Sequence, residues 1–261
     1  MTHGLNNDFL YSAKKIIVKY TNGVEIKEFR GTGFFVQKEE ELFFATNRHM
    51  VELEYLNPTY KGYIISEFKI ESFEEIDPHG IPTTLKTVSI ANWKDFKYHP
   101  NTYNDIACLK TPKVIGDMKI IYPIPYSMVA SDDWINQKLS VCDTIAYPGF
   151  PEWYDRQNNT PVFRMGTLAS DPRLNYSYAP GAPIASRIAY EGFSTGGASG
   201  SPVFSTQHGF KTGGGISAPE DFYREVKLIG INAGHFYDQT GHSGISYMFK
   251  SSAILDLIDS L

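Results

Sequence analysis

The chain has 261 residues, of which 42% are hydrophobic and 20% charged, a balance that excludes a disordered or collagen-like protein. Lys and Arg number 24 against 29 Asp and Glu, which gives a net charge of −5, and no basic run exceeds two residues. A nucleic-acid partner and a polybasic membrane anchor are therefore not expected. The many aromatic and turn-forming residues (17 Phe, 17 Tyr, 22 Gly and 15 Pro) favour numerous short strands over long helices.

Strand-like segments follow one another along the first half of the chain. They are short alternating or aromatic runs, separated by the Asn22-Gly23 turn signal and by a charged tip at 38–41. The runs are KKIIVKYT, VEIKEF, GTGFFVQ, ELFFATN, YKGYIISEFKIESF, TTLKTVSIANW and NDIACLK. The segment from about 111 to 138, which contains several prolines and the polar SDDW, is expected to be a crossover linker.

The second half continues the pattern and ends in a helix. Its strand-like runs are LSVCDTIAYPG, TPVFRMGTLAS, APIASRIAYEGF, GSPVFST, VKLIGINAG and SGISYMF. The terminal segment SSAILDLIDSL predicts a helix with one apolar face, formed by Ile254, Leu255, Leu257, Ile258 and Leu261. We therefore predict an all-β fold of two packed six-stranded antiparallel Greek-key barrels with a C-terminal α-helix. The first barrel is expected within 1–120, and the linker, second barrel and terminal helix within 121–261.

Cysteine content and the chain start bear on the cellular compartment. Cys108 and Cys142 both lie in apolar, strand-like runs and are expected to be buried free thiols. No basic start followed by an apolar stretch marks a secretory signal, and no apolar run is long enough to cross a bilayer. If the sequence is complete, we expect a cytoplasmic protein without membrane contact.

A glycine-dense turn, Gly196-Gly197-Ala198-Ser199-Gly200, leads straight into an apolar strand. Acyl transfer needs an exposed hydroxyl with backbone N–H groups free to face a developing oxyanion. Glycines permit the tight, partly φ > 0 backbone that turns those N–H groups inward. By itself the segment fits an ordinary hairpin turn equally well.

Two further residues have the chemistry that such a serine requires. His49 ends the apolar run FFATNRH, a setting that would hold an imidazole rigidly as a base. Asp105 stands directly before a strand-like run, where it could orient that imidazole, although an Asp there is also commonly a cap. His235 follows LIGINAG and could approach a pocket. The remaining histidines are expected at the surface: His3, His79, His99, His208 and His242.

His49, Asp105 and Ser199 occur in the His, Asp, Ser order of the double-barrel triad enzymes. Together with their flanking segments they resemble the trypsin/chymotrypsin-like serine peptidases, and above all the bacterial branch with the HtrA peptidase domain and the glutamyl endopeptidases. The matching segments are GTGFFV (31–36), TNRHMV (46–51), NDIACLK (104–110), AYPGFP (146–151), GASGSPVF (197–204) and LIGINAG (228–234). The resemblance extends from about residue 12 to the terminal helix.

This resemblance implies a serine endopeptidase in which Ser199 is the nucleophile, His49 the general base, and Asp105 the residue that orients His49. It implies an oxyanion hole made by the backbone N–H groups of Gly197 and Ser199. The implied substrate-binding residues are Phe193 and Ser194 at the base of the specificity pocket, Asn232, Ala233 and Gly234 on the strand that pairs with substrate, and His235 nearby. No metal or organic cofactor is implied.

Three departures from the family pattern refine these expectations. Ala198 stands where zymogen-type members carry an Asp, so no cleavage switch of that kind is expected. No acid occurs at Phe193 or Ser194, which argues against a preference for Arg or Lys, and the phenylalanine favours small or medium uncharged side chains. Asn232 replaces the histidine of glutamyl endopeptidases, a loss that His235 could offset.

The long segment between Pro202 and Gly230 is expected to hold a flexible loop that gates access or receives a regulator, or else a plain surface insertion.

Two other functions remain open at this stage. One is a latent or inactive peptidase-like binding module that needs a partner for activation. The other is an esterase with the same triad, against which the lack of a GxSxG elbow argues. The expected partners are a polypeptide substrate and an activating or regulatory protein, and we expect a monomer.

Overall fold

The computed structural model describes residues 5–55, 57–209, 223–239 and 241–261. The central part of the loop expected between Pro202 and Gly230, residues 210–222, lies outside the described residues. In the described ranges, no helix combines the length and the apolar character needed to cross a lipid bilayer.

The first half of the chain forms a mainly antiparallel sheet. Its strands are β1 (Ala13–Thr21), β2 (Ile26–Lys38), β3 (Glu41–Thr46), β4 (Ile64–Ile76), β5 (Pro82–Ser89), β6 (Lys97–Tyr98) and β7 (Ala107–Thr111). They hydrogen-bond in the order β5-β4-β1-β2-β3-β7-β6. The predicted runs VEIKEF and GTGFFVQ belong to one strand, because β2 pairs with β1 without a break through Arg30.

Residues 31–36 of β2 and 42–46 of β3 are buried on both faces of the sheet, which explains the apolar runs in these segments. Because side chains alternate along a strand, Phe35 and Phe44 lie in the core of the first sheet. Phe34, Val36 and Phe43 project from the opposite face into a second core. There they meet residues of the second half and of the terminal helix: Phe204, Leu228, Ile231, Phe249, Ile254 and Leu257. The two halves therefore share one apolar interface.

The second half forms a closed barrel. Its strands are β11 (Thr144–Gly149), β12 (Val162–Leu168), β13 (Arg187–Glu191), β14 (Pro202–Ser205), β15 (Lys227–Asp238) and β16 (Gly241–Lys250). They close in the order β11-β12-β13-β16-β15-β14 around buried apolar side chains such as Ile145, Ile188 and Ile229. Together with the sheet of the first half and the terminal helix, this barrel confirms the predicted all-β class with a C-terminal helix. Six strands close into a barrel in the second half as predicted, whereas the described strands β1 to β7 of the first half belong to a sheet of eight.

Helices and short strands complete the structure. The predicted terminal helix is confirmed as α3 (Ser251–Asp259), and a short helix α1 (Asn7–Tyr11) precedes β1. The expected linker contains β8 (Val114–Ile115), β9 (Met118–Lys119), β10 (Ile124–Pro125) and α2 (Asp132–Lys138), and β10 runs parallel to β2. Helix α2 starts where the Ser131 side chain accepts a hydrogen bond from the Trp134 N–H, a capping signal that the sequence analysis overlooked.

The expectation of two buried thiols is wrong for one cysteine. Cys108 is buried in β7, whereas Cys142 is exposed. Strand β11 begins only at Thr144, so Cys142 lies in the preceding turn, with φ at +66°. The apolar run LSVCDTIAYPG thus begins several residues before β11, and Cys142 lies in the part that precedes the strand.

Candidate active site

His49 and Asp105 meet because β3 and β7 are paired neighbours. The pairing of Thr46 with Ala107 places the end of β3 beside the start of β7. His49 lies in the short 3-10 turn Arg48–Met50 that follows β3, and Asp105 lies just before β7. Antiparallel pairing therefore brings two residues that are distant in sequence to the same edge of the sheet.

The Asp105 carboxylate holds His49 at two points. One oxygen, Oδ2, lies 2.6 Å from His49 Nδ1, and the other, Oδ1, accepts the His49 backbone N–H at 2.9 Å. Asp105 is only 3% exposed, and the Asn47 side chain donates to its backbone carbonyl at 2.9 Å. A carboxylate facing Nδ1 keeps the proton on that nitrogen, so Nε2 is left as the basic atom.

Two tyrosines near Asp105 stay uncharged. Burial raises the pKa of Tyr55 to about 12, and the negative charge of Asp105 adds to this effect. The same two causes raise the pKa of Tyr247. Neither phenol therefore competes with Asp105 as an anionic partner of His49.

Ser199 lies in a tight loop between β13 and β14. The loop is closed by hydrogen bonds from the Ala198 N–H to the Thr195 carbonyl at 3.0 Å and from the Ser201 N–H to the Ala198 carbonyl at 3.1 Å. Gly197 and Gly200 have φ values of +87° and +85°. A Cβ atom would lie 2.2 Å from the Phe150 oxygen at position 197 and 1.9 Å from the Thr32 oxygen at position 200. Both positions therefore require glycine, as the sequence indicated.

Two backbone amides beside Ser199 are free to bind an anion. The Gly196 carbonyl accepts from the Glu152 N–H at 3.2 Å, and the Ala198 carbonyl accepts from the Asn232 side chain at 2.7 Å. Because the C=O and N–H of a trans peptide point in opposite directions, these bonds turn the N–H groups of Gly197 and Ser199 the other way. Within the described residues, neither amide donates a hydrogen bond. Free N–H groups next to a serine hydroxyl are what an oxyanion hole requires.

The loop that carries Ser199 (residues 196–200) and the His49 side of the candidate site meet at β2. The Thr32 N–H donates to the Ser199 carbonyl at 2.8 Å, and the Thr32 carbonyl accepts from the Thr46 hydroxyl at 2.9 Å, three residues before His49. In the described part of the chain, no hydrogen bond joins the Ser199 hydroxyl to His49. Catalytic hydrogen bonds of this type are commonly long until substrate binds.

The structure gives Asn232 a different role from the predicted contact with substrate. Its side chain is fully buried, where it donates to Ser194 Oγ at 2.9 Å and accepts from the Tyr190 hydroxyl at 2.6 Å. Its Nδ2 also donates to the Ala198 carbonyl, so both N–H groups and the oxygen of the side-chain amide are engaged within the protein. The backbone N–H and carbonyl of Asn232 are also used, by Ser201 and Gly200. Asn232 therefore stabilises the loop that carries Ser199, through bonds to Ala198, Gly200 and Ser201.

Of the two residues predicted at the base of the pocket, only Ser194 is buried. Phe193 is 64% exposed and packs its ring 4.9 Å from the ring of His242. Side chains alternate along an extended segment, so an inward Ser194 sends Phe193 outward. The exposed position of Phe193 does not support the expectation that it lines the base of the pocket. The argument for small or medium uncharged substrate side chains, which depended on that expectation, is not supported either.

His235 forms a stack with another histidine. Its ring lies 4.2 Å from that of His242 at an angle of 12°, and 4.5 Å from that of Tyr237. Burial lowers the pKa of His235, and the nearby His242 lowers it further. His242, expected as a free surface residue, is thus partly buried in this cluster.

Ala233, Gly234 and His235 lie on an open strand edge. Strand β14 pairs with β15 only as far as Ile231, and among the described strands β16 alone pairs with β15 beyond that point. The free edge begins next to the loop that carries Ser199. An extended peptide can add to such an edge as a further strand.

Comparison with known proteins shows similarity in structure but not in sequence. No protein-family model matches the chain, and no curated protein matches its sequence. Two solved structures of the HtrA-type protease AlgW with a tripeptide, one of them a serine-to-alanine variant, each have a TM-score of 0.52 and cover 96% of this chain. Their sequence identities are 17% and, for the variant, 15%, and this chain spans only 60% of their length. The chain therefore has the fold of an HtrA-type, trypsin-like protease.

Proposed function

We propose that the protein is a serine endopeptidase that uses His49, Asp105 and Ser199 as its catalytic residues. The observation that carries the proposal is the conjunction of two arrangements at one junction. A buried carboxylate orients the imidazole of His49, and the backbone amides of Gly197 and Ser199, in the same loop as the serine hydroxyl, donate no hydrogen bond within the described residues. The fold shared with HtrA-type proteases supports the same reading.

The proposed reaction follows from these positions. His49 Nε2 takes the proton of Ser199 Oγ as that oxygen attacks the carbonyl carbon of the scissile peptide bond. The carbonyl oxygen becomes an anion facing the N–H groups of Gly197 and Ser199, each worth about 3–4 kcal/mol of transition-state stabilisation in comparable enzymes. The C–N bond then breaks, the departing amine takes the proton from His49, and the acyl group stays on Ser199.

Hydrolysis completes the cycle. A water molecule gives its proton to His49 and attacks the acyl carbon, and the same two amides again face the oxyanion. When the bond to Ser199 Oγ breaks, the proton returns to that oxygen and a carboxylic acid leaves. Asp105 keeps its negative charge throughout and stabilises the imidazolium formed in each half-reaction.

A polypeptide substrate fits the open edge of β15 better than a small ester does. Main-chain hydrogen bonds to that edge recognise an extended peptide of any sequence. His235 and Phe236 are neighbours on this strand but belong to different aromatic clusters: His235 stacks on His242 at 4.2 Å, whereas Phe236 packs 5.5 Å from Tyr178 and 5.2 Å from Tyr247. Narrow specificity belongs to the proposal because aromatic side chains crowd the edge.

Reaction with a fluorophosphonate probe tests the proposal. We expect the native protein to be labelled at Ser199 and the Ser199→Ala variant not to be labelled. Ser140→Ala, which removes an exposed serine in the turn before β11, is the matched control and should label like the wild type. Denatured protein serves as a blank for non-specific reaction. A native protein that does not label, but binds peptides without cleaving them, would favour the alternative of a peptidase-like binding module.

A further inference from the structure

Thr32 connects the sheet of the first half to the loop that carries Ser199 through its side chain. It is completely buried on β2. Its hydroxyl donates to the Gly197 carbonyl at 2.8 Å and accepts from the Phe150 N–H at 3.1 Å. Its backbone N–H donates to the Ser199 carbonyl at 2.8 Å. All three contacts reach segments of the second half.

Glycines flank Thr32 on β2, and Gly31 leaves room for the loop while Gly33 leaves room for Phe44 in the first sheet. A Cβ atom on Gly31 would lie 3.3 Å from the Ser199 carbonyl oxygen and 2.8 Å from Met50 Cε. One on Gly33 would lie 2.2 Å from Phe44 Cζ. Side chains are thus disfavoured at positions 31 and 33, and the residue between them, Thr32, carries the hydroxyl that reaches the loop.

Every carbonyl oxygen of residues 196–199 has a partner. The first and third are held within the second half, by the Glu152 N–H and the Asn232 side chain. The second and fourth are held by Thr32, through its hydroxyl and its N–H. Since each carbonyl fixes the plane of its peptide, these four bonds set the directions of the N–H groups that follow.

We propose that the Thr32 hydroxyl is a positioning group that holds the oxyanion-binding loop in its reactive conformation from the opposite half of the molecule. The inference rests on the proposed function. The peptide that it restrains joins Gly197 to Ala198 and so lies between the two amides that face the oxyanion. Gly197 has no side chain to resist rotation, so hydrogen bonds must restrain this peptide. Its N–H is held inside the loop by the Thr195 carbonyl at 3.0 Å, and its carbonyl is held from the opposite half by the Thr32 hydroxyl at 2.8 Å. With this bond in place the loop is reactive without an activating partner.

The test compares substitutions at position 32. Thr32→Val keeps the shape of the side chain and the backbone N–H but removes the hydroxyl. We expect the rate constant for fluorophosphonate labelling to fall about 10²-fold, because the tetrahedral phosphorus adduct places its oxygen in the oxyanion hole. Thr32→Ser keeps the hydroxyl and should label within about threefold of the wild type. With a fluorogenic peptide substrate, kcat should fall by a similar factor as labelling in Thr32→Val, with KM changed less than about threefold.

Thr111→Val is the matched control for the loss of a buried threonine hydroxyl. Thr111 donates to the Leu42 carbonyl at 3.3 Å, at the opposite end of β7 from Asp105. A similar loss of stability in this variant with normal labelling would show that destabilisation alone does not slow the reaction. If Thr32→Val does not fold, Thr32→Cys, whose thiol is a weaker donor, takes its place with the same expectation.

The outcomes separate this inference from the proposed function. A wild-type protein that labels at the same rate as folded Thr32→Val would overturn the role of Thr32 and leave the triad intact. Equal slowing in Thr32→Ser and Thr32→Val would also overturn it, since the hydroxyl would then be irrelevant. A wild-type protein that does not label contradicts both the endopeptidase and a loop held in reactive form.

Discussion

The two sides of the candidate site are built in different ways. On the His49 side, side chains do the positioning: a carboxylate from the start of β7 grips a histidine from the turn after β3. On the Ser199 side, the orientation of the peptide planes positions the functional groups, because these are backbone carbonyls and amides of the loop. Activity should therefore be sensitive, on the His49 side, to substitutions that change the chemistry of a side chain but keep its shape. On the Ser199 side, activity and stability should be sensitive to substitutions that add even one methyl group.

The largest effect is expected from a change that alters only chemistry on the His49 side. Asp105→Asn keeps the shape of the side chain but cannot accept hydrogen bonds at both ends, as the present carboxylate does from the ring and the backbone of His49. The amide instead favours the wrong tautomer of the imidazole. We expect kcat to fall about 10⁴-fold, as in comparable triads, with the fold preserved.

Steady-state kinetics on a peptide substrate, with circular dichroism to monitor folding, measure this effect. Asp95→Asn, at an exposed position in the 3-10 turn Trp93–Asp95, is the matched control and should leave kcat unchanged. A loss of less than about tenfold in folded Asp105→Asn would mean that the carboxylate serves as a structural cap and not as the partner of a catalytic base.

A single methyl group tests the Ser199 side. Gly200 and Gly62 have nearly the same φ, +85° and +87°, but a Cβ on Gly200 would lie 1.9 Å from the Thr32 carbonyl oxygen, whereas one on Gly62 meets nothing within 4 Å. Gly62→Ala should cost about 1–2 kcal/mol for the left-handed backbone alone. Gly200→Ala should lower the free energy of unfolding by about 1–3 kcal/mol more, and should abolish labelling of Ser199.

Urea denaturation of both variants measures this difference. Equal losses of stability would show that the junction with β2 yields readily, and that the loop is not held as tightly as the contacts at Thr32 indicate. The comparison separates the effect of packing from that of the positive φ, because φ is nearly the same at the two positions.

The sequence predicted the His49 side more completely than the Ser199 side. His49 and Asp105 stand at ends of apolar runs, a signal that local patterning carries, and pairing of β3 with β7 then brings them together. The anchors of the loop could not be read in the same way. Thr32 and Gly197 are 165 residues apart, and no pattern in either segment predicts a hydrogen bond between them. Asn232 was placed on the correct strand but assigned to substrate, because periodicity does not show that three partners already use its amide.

The smallest predicted effect concerns a buried lysine that joins the segment before β1 to the connection between the two halves. Lys14, on β1, is fully buried, and its Nζ donates to the carbonyls of Tyr11 and Ile121 at 2.8 and 3.0 Å. Ile121 lies on the connection toward the second half. Burial lowers the pKa of this amine from 10.5 to about 7, and a neutral amine has two N–H groups for these two acceptors.

The sign of the pH dependence follows from that direction. Between about pH 7 and 10.5 the folded protein holds Lys14 neutral while the unfolded chain holds it charged, so unfolding takes up a proton. The free energy of unfolding should therefore rise with pH across this window, by at most about 1.4 kcal/mol per pH unit from this group. Below about pH 7 both states are protonated and the contribution stays constant.

Lys14→Met removes this titrating group. The rise of the free energy of unfolding with pH should therefore be smaller in the variant, by up to about 1.4 kcal/mol per pH unit. Urea denaturation of wild type and variant at pH 7, 8 and 9 measures the two slopes, and the other titrating groups cancel in their difference. Parallel slopes would mean that Lys14 stays charged when folded. In that case further polar groups or water must stabilise the charged amine in the interior.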